Sequence, residues 1–119
     1  MNNVGLIGRL TSDPSMSYLQ SGIAKTTFTL AVDKGLGKDK KAEMEQQGKA
    51  TADFIRCIAF GKIAETAGNY LKKGKLAGIT GSINTGSYEK DGKMVYTTDV
   101  LVSSIDILEW ADKEVNPFL

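Results

Sequence analysis

Residues 54–74, FIRCIAFGKIAETAGNYLKKG, constrain the fold of this chain more tightly than any other stretch. The first seven alternate. Phe54, Arg56, Ile58 and Phe60 share one face of a strand, and Ile55, Cys57 and Ala59 share the other. The second face is wholly apolar and reads as core. The first combines two aromatics with an arginine, which suits neither a buried face nor a merely soluble one. Rings beside a fixed cation are what a stacked base and its phosphate require. After Gly61 the period changes to that of a helix. Ile63, Ala64, Ala67, Tyr70 and Leu71 line one side, Lys72 and Lys73 fall in the last turn, and Gly74 is the expected stop. A strand with exposed aromatics, one short helix and a further strand is the middle of an OB-type barrel.

The rest of the chain reads as strands. Asn3–Leu10 is a first, followed by turns at Asp13-Pro14-Ser15 and Ser21-Gly22. Ala24–Asp33 is a second, with Thr26, Phe28, Leu30 and Val32 on one face. Residues 34–49 show no consistent period and are rich in Gly, Lys and Gln, which predicts a long, exposed, mobile loop of functional rather than idle character. Lys75–Tyr88 is a long strand broken by Gly78, Gly81 and Gly86, marks of bulges or barrel corners. Asp91-Gly92 signals a hairpin into Met94–Ser103. The expected fold is all-β with one short helix: a five-stranded Greek-key OB barrel with the helix between its third and fourth strands. At 119 residues there is room for one core. We expect one OB domain over residues 1–110 and a short C-terminal tail over 111–119.

Composition removes most chemistry. There is no histidine, hence no usual general base, no commonest metal ligand and no ordinary catalytic triad. Cys57 is the only cysteine, which suits a reducing compartment, and it reads as a small buried hydrophobe. The pairs Gly37-Lys38, Gly48-Lys49, Gly61-Lys62 and Gly74-Lys75 lack the Ser or Thr of a phosphate loop. The residues argue against an enzyme and imply no metal or cofactor. No apolar run reaches a membrane span, and MNNVGLIGRL lacks the basic and apolar regions of a signal peptide, so a cytoplasmic location is expected. The net charge of +1 is asymmetric. Residues 1–98 hold 14 Lys/Arg against 9 Asp/Glu, and residues 99–119 hold one Lys against five acids. A basic body with an acidic end is compatible with an anionic ligand and a separate tail function.

Four patches are left as candidate binding surface. Phe54, Arg56 and Phe60 are the first. Both rings could instead be core, but the opposite face is already the apolar one. Tyr88 is the second, in phase with Thr80, Ser82, Asn84 and Gly86; a half-exposed hairpin tyrosine reads equally well there. Lys34, Lys38, Lys40, Lys41 and Lys49 form the third, whose net charge of +2 after Asp39, Glu43 and Glu45 points only weakly to phosphate contact. Lys62, Lys72, Lys73 and Lys75 form the fourth, which reads more naturally as a solvated helix surface.

With these residues in hand, the chain resembles the bacterial single-stranded DNA-binding protein family, its phage-encoded members included. The matching stretches are MNNVGLIGRL with Asp13-Pro14, Ser21 to Ala24, Phe28 to Val32, Ala52 to Lys62 and Ala64-Glu65, then Asn69 to Gly74, Gly78 to Ser82, Tyr88, Asp91-Gly92, Tyr96 to Thr98 and Val100. They run in the family's order over about residues 1–110. The resemblance implies an OB-fold that binds and protects single-stranded DNA without sequence preference, usually as a homotetramer, in replication, recombination and repair. It implies stacking by Phe54, Phe60 and Tyr88 and phosphate contact by Arg56 and Lys62. Lys34, Lys38 and Lys49 of the third patch and Lys72 and Lys73 of the fourth stand beside them as further phosphate-contact candidates on their charge alone. It also implies that Asp112, Glu114, Pro117 and Phe118 belong to a tail that docks on replication or recombination proteins. Three departures matter. Gly35-Leu36-Gly37 stands where many members have another aromatic, Asn84 and Gly86 replace an arginine-rich segment, and no long linker precedes the final Asn116-Pro117-Phe118-Leu119. An OB-fold protein adaptor and a single-stranded RNA-binding module are the alternatives. Stacking tolerates either sugar, whereas an adaptor has no use for rings interleaved with Arg56.

Overall fold

In the computed structural model, which describes residues 1–109, the alternating segments become one six-stranded sheet closed on itself. The strands are β1 (Val4–Leu10), β2 (Ser15–Tyr18), β3 (Ala24–Asp33), β4 (Ala52–Phe60), β5 (Leu76–Lys90) and β6 (Lys93–Ile107). The helices are α1 (Lys38–Gln46) between β3 and β4 and α2 (Lys62–Tyr70) between β4 and β5. The spatial order is β1-β5-β6-β4-β3-β2, and β1 also pairs with β3 at Arg9–Ala31 and Leu10–Leu30, which closes the barrel. All ladders are antiparallel except β4–β6, which is parallel and limited to Cys57–Val100 and Ile58–Leu101.

The core is what one face of each alternating strand predicts. Phe28 and Leu30 of β3, Cys57 and Ala59 of β4, Ile79 of β5, and Val100 and Val102 of β6 are buried together. Ala64, Ala67 and Leu71 bring α2 against them. Thr26 shares that buried face, and its hydroxyl meets the need of a buried polar group by donating to the Ala64 carbonyl at 2.6 Å. This contact ties α2 to β3.

Three features depart from the expected outline. There are six strands rather than five, because Ser15–Tyr18 pairs along β3 from Ser15–Thr27 to Tyr18–Ala24. All four of its residues are exposed, so no burial pattern marks it. There are two helices rather than one. The stretch expected to be a loop contains α1, whose residues (KDKKAEMEQ) are mostly good helix formers, and it buries none of them. With no face turned to a core, it has no hydrophobic period to read. The third departure is the end of α2, at Tyr70 rather than Gly74, because Leu71 turns extended and buries its side chain. Gly74 has φ of +82°, which a glycine adopts without strain, and its N–H bonds the Leu10 carbonyl at 2.8 Å as the chain enters β5. The bulge expected where glycines break this strand is present at Gly81. Thr80 pairs with Ser104 and Gly81 with Val102, so Ser103 is extra, and its hydroxyl donates to the Thr80 carbonyl. The extra residue lets Val102 and Ile105 both point inward although they are three apart.

Candidate nucleic-acid interface

Directly opposed residues of a ladder share a side of the sheet, so the β3–β4 register assembles one outward face. Ala31 stands opposite Phe54, Thr29 opposite Arg56, Thr27 opposite Ile58 and Lys25 opposite Phe60. Phe54 is 63% exposed and Phe60 41%. The bland reading of both rings as core is thereby removed. Six residues of extended chain set the two rings about 20 Å apart, with Arg56 between them. Ser15 opposite Thr27 and Ser17 opposite Lys25 continue this side of the sheet into β2.

The same side continues across the sheet. Ile58 opposes Leu101, which pairs with Ser82, and from there the phase runs through Asn84–Asp99 and Gly86–Thr97 to Tyr88–Val95. Tyr88 is 51% exposed near the tip of the β5–β6 arm. Phe54, Phe60 and Tyr88 thus occupy one side of one sheet, although they come from separate elements. Asn2 fixes the root of this arm. Its amide donates to the Ile83 carbonyl at 3.0 Å and accepts from the Ile83 N–H at 2.8 Å, as a paired strand residue would.

Charge on this side is uneven. The Arg56 guanidinium is half exposed and lies 3.9 Å from the largely buried Asp99 carboxylate. That is an ion-pair distance, too long for a hydrogen bond. Burial, with Asp99 adding to it, pushes the neighbouring Cys57 thiol up to about 12, so Cys57 is an inert part of the core. Lys62 opens α2 two residues beyond Phe60. Lys34, Lys38 and Lys49 lie at the Phe54 end: Lys34 follows β3 and is paired with Asp53, Lys38 opens α1, and Lys49 follows it. Lys72 and Lys73 lie in the turn after α2, where the Lys73 N–H donates to Asp13 Oδ1. That turn adjoins the helix on the core side of β3 and is not brought to the aromatic face.

Sequence reasoning passed over two members of the surface. Lys25 opposes Phe60, and its period-2 phase with Thr27 and Thr29 could have shown it. Asp99 offered no signal, since only the β4–β6 ladder brings it to Arg56. Tyr96, 78% exposed, is on the opposite side of the arm from Tyr88. Trp110, Asp112, Glu114, Pro117 and Phe118 lie outside the described residues. Among the described residues, no group of three or more His, Cys, Asp or Glu could hold a metal ion, and no helix is long and apolar enough to cross a membrane.

A closed six-stranded barrel that displays aromatics and a cation on one sheet face has the architecture of an OB-fold. The chain belongs to the single-strand binding protein family, whose profile matches residues 1–108. It is 50% identical over 110 residues to a single-stranded DNA-binding protein of Bacillus cereus, a match that covers 92% of this chain and 61% of that protein. A protein of the same description from Clostridium tetani is 48% identical over 116 residues, covering 96% of this chain and 74% of the relative. The chain therefore spans about three fifths of the Bacillus cereus relative's length.

Proposed function

We propose that this protein binds and protects single-stranded DNA without sequence preference, in replication, recombination and repair. The observation that supports it best is the placement of Phe54, Phe60 and Tyr88, half exposed or more, on one side of the sheet with Arg56 among them. Every base has a face to stack, so such a surface takes any sequence. Arg56, Lys62 and Lys25 supply phosphate contacts, with Lys34, Lys38 and Lys49 as outlying ones and Lys72 and Lys73 more distant. The protein acts in the cytoplasm, of the host if it is phage-encoded. Replication or recombination proteins are its further partners, through the segment that holds Asp112, Glu114, Pro117 and Phe118. The test is a titration of intrinsic tyrosine and Trp110 fluorescence with poly-dT, poly-U and duplex DNA. Quenching by poly-dT at the lowest concentration is expected. Tighter binding of poly-U would replace this reading by the RNA one, and preference for duplex would overturn both.

A homo-oligomer, a tetramer built on dimers, is part of the same proposal. β1 pairs with β3 only at Arg9 and Leu10, and Gly8 packs against Ala31, so the edge from Val4 to Ile7 is unpaired on that side. The outward face beside it is apolar, with Ile7 61% and Leu108 47% exposed around Gly78. An unguarded edge of this kind invites pairing with a second chain.

A further inference from the structure

We infer that the cleft between β4 and β6 is a base-selecting subsite that takes one cytosine of the bound strand, its amino group donating to the Asp99 carboxylate. The inference rests on the single-strand reading above and adds a modest preference to it. The parallel β4–β6 ladder ends at Cys57–Val100. Beyond that pair the strands share no backbone bonds, and a cavity of about 230 Å³ opens between them. Phe54 and Arg56 stand at its mouth, so it is continuous with the aromatic face, and Leu6, Ile83 and Val100 give it an apolar floor. It is smaller than the roughly 300–1,000 Å³ of pockets that take drug-sized ligands, which suits a single base.

Arg56, Thr98 and Asp99 are the polar residues of its wall, and the buried one of them, Asp99, selects the occupant. Asp99 is 8% exposed, and its ion-pair partner Arg56 is 3.9 Å away, beyond hydrogen-bond reach. A carboxylate repels phosphate, so this cleft does not take the backbone; it accepts hydrogen bonds and, ionised, donates none. Cytosine offers the two hydrogens of its 4-amino group, the contact that acidic side chains make with this base. Thymine offers a single N–H set between two carbonyl oxygens, which a carboxylate repels. With the base inside, its sugar-phosphate lies at the mouth beside Arg56, and the next base meets Phe54.

The experiment compares oligo-dC and oligo-dT of equal length, by equilibrium binding to the full chain and to two variants. Asp99→Asn presents an amide that can donate to the thymine 4-carbonyl, and Ile83→Phe fills the cleft without touching the carboxylate. The dC-to-dT affinity ratio is expected to fall about five- to tenfold in Asp99→Asn, and to fall in Ile83→Phe as well. The use of a ratio removes any general gain in affinity from the lost negative charge. An unchanged ratio in both variants, with oligo-dT still bound, would overturn the subsite and leave the single-strand reading standing. Failure of the parent to bind oligo-dT at all would overturn that reading and the subsite together.

Discussion

An exposed phenylalanine on a sheet leaves apolar area in water, which folding alone does not favour. Phe54 and Phe60 both do so, while Cys57 and Ala59 between them are fully buried. Alternation made that division legible from residues alone, since one face was already apolar. Alanine at Phe54, Phe60 or Tyr88 should each lose about 1–3 kcal/mol of stacking, a weakening of roughly 5- to 150-fold in oligo-dT affinity. Circular dichroism should show the fold intact; three folded variants that bind like the parent would refute stacking. Cys57 presents the opposite case. Its thiol is held near 12 against an ordinary value of about 9. The native protein should resist iodoacetamide at pH 8 and react once unfolded in guanidinium, which mass spectrometry reads directly. Because the folded value is the raised one, the stability it contributes is complete below about pH 9. It is lost as pH rises from there towards 12. Asp99, by contrast, was not legible, for its environment is made by residues distant in sequence.

The two helices show why element type is readable only where an element has a core to face. α2 buries Ala64 and Ala67 and was visible as a helical period, whereas α1 buries nothing and was not. A helix of nine residues with no buried face gains little from tertiary packing. Backbone amides of α1 should therefore exchange with deuterium well ahead of those of α2 and β3. Protection in α1 equal to that of α2 would contradict the placement. The bulge at Ser103 belongs to this scale as well. A Cβ on Gly81 would lie 2.2 Å from the Leu101 carbonyl oxygen, a rigid backbone neighbour. Gly81→Ala should cost at least the 1–3 kcal/mol or so of an overpacked site, read as a lower denaturant midpoint. The glycine was visible in the sequence as a strand break, but the carbonyl it makes room for was not.

For the whole molecule, the free β1 edge and the apolar surface around Ile7 lead to an expected mass in light scattering of two or four chains at micromolar concentration. A 12.8 kDa particle would rule that out. Replacement of Ile7 by lysine should shift the assembly towards smaller species, since it places a charge where a partner strand would pack. Local pattern determined a good deal of this protein by itself. Period-2 alternation defined the faces of β3 and β4, and the change of period at Gly61 located α2. These depend on neighbours within a few residues. Tertiary structure alone decided that Tyr88 shares a side with Phe54 and Phe60, that Asp99 sits beside Arg56, and that a cleft opens where the β4–β6 ladder stops. Each of those follows from register between strands far apart in the chain, and register is set by how the whole barrel closes around its core.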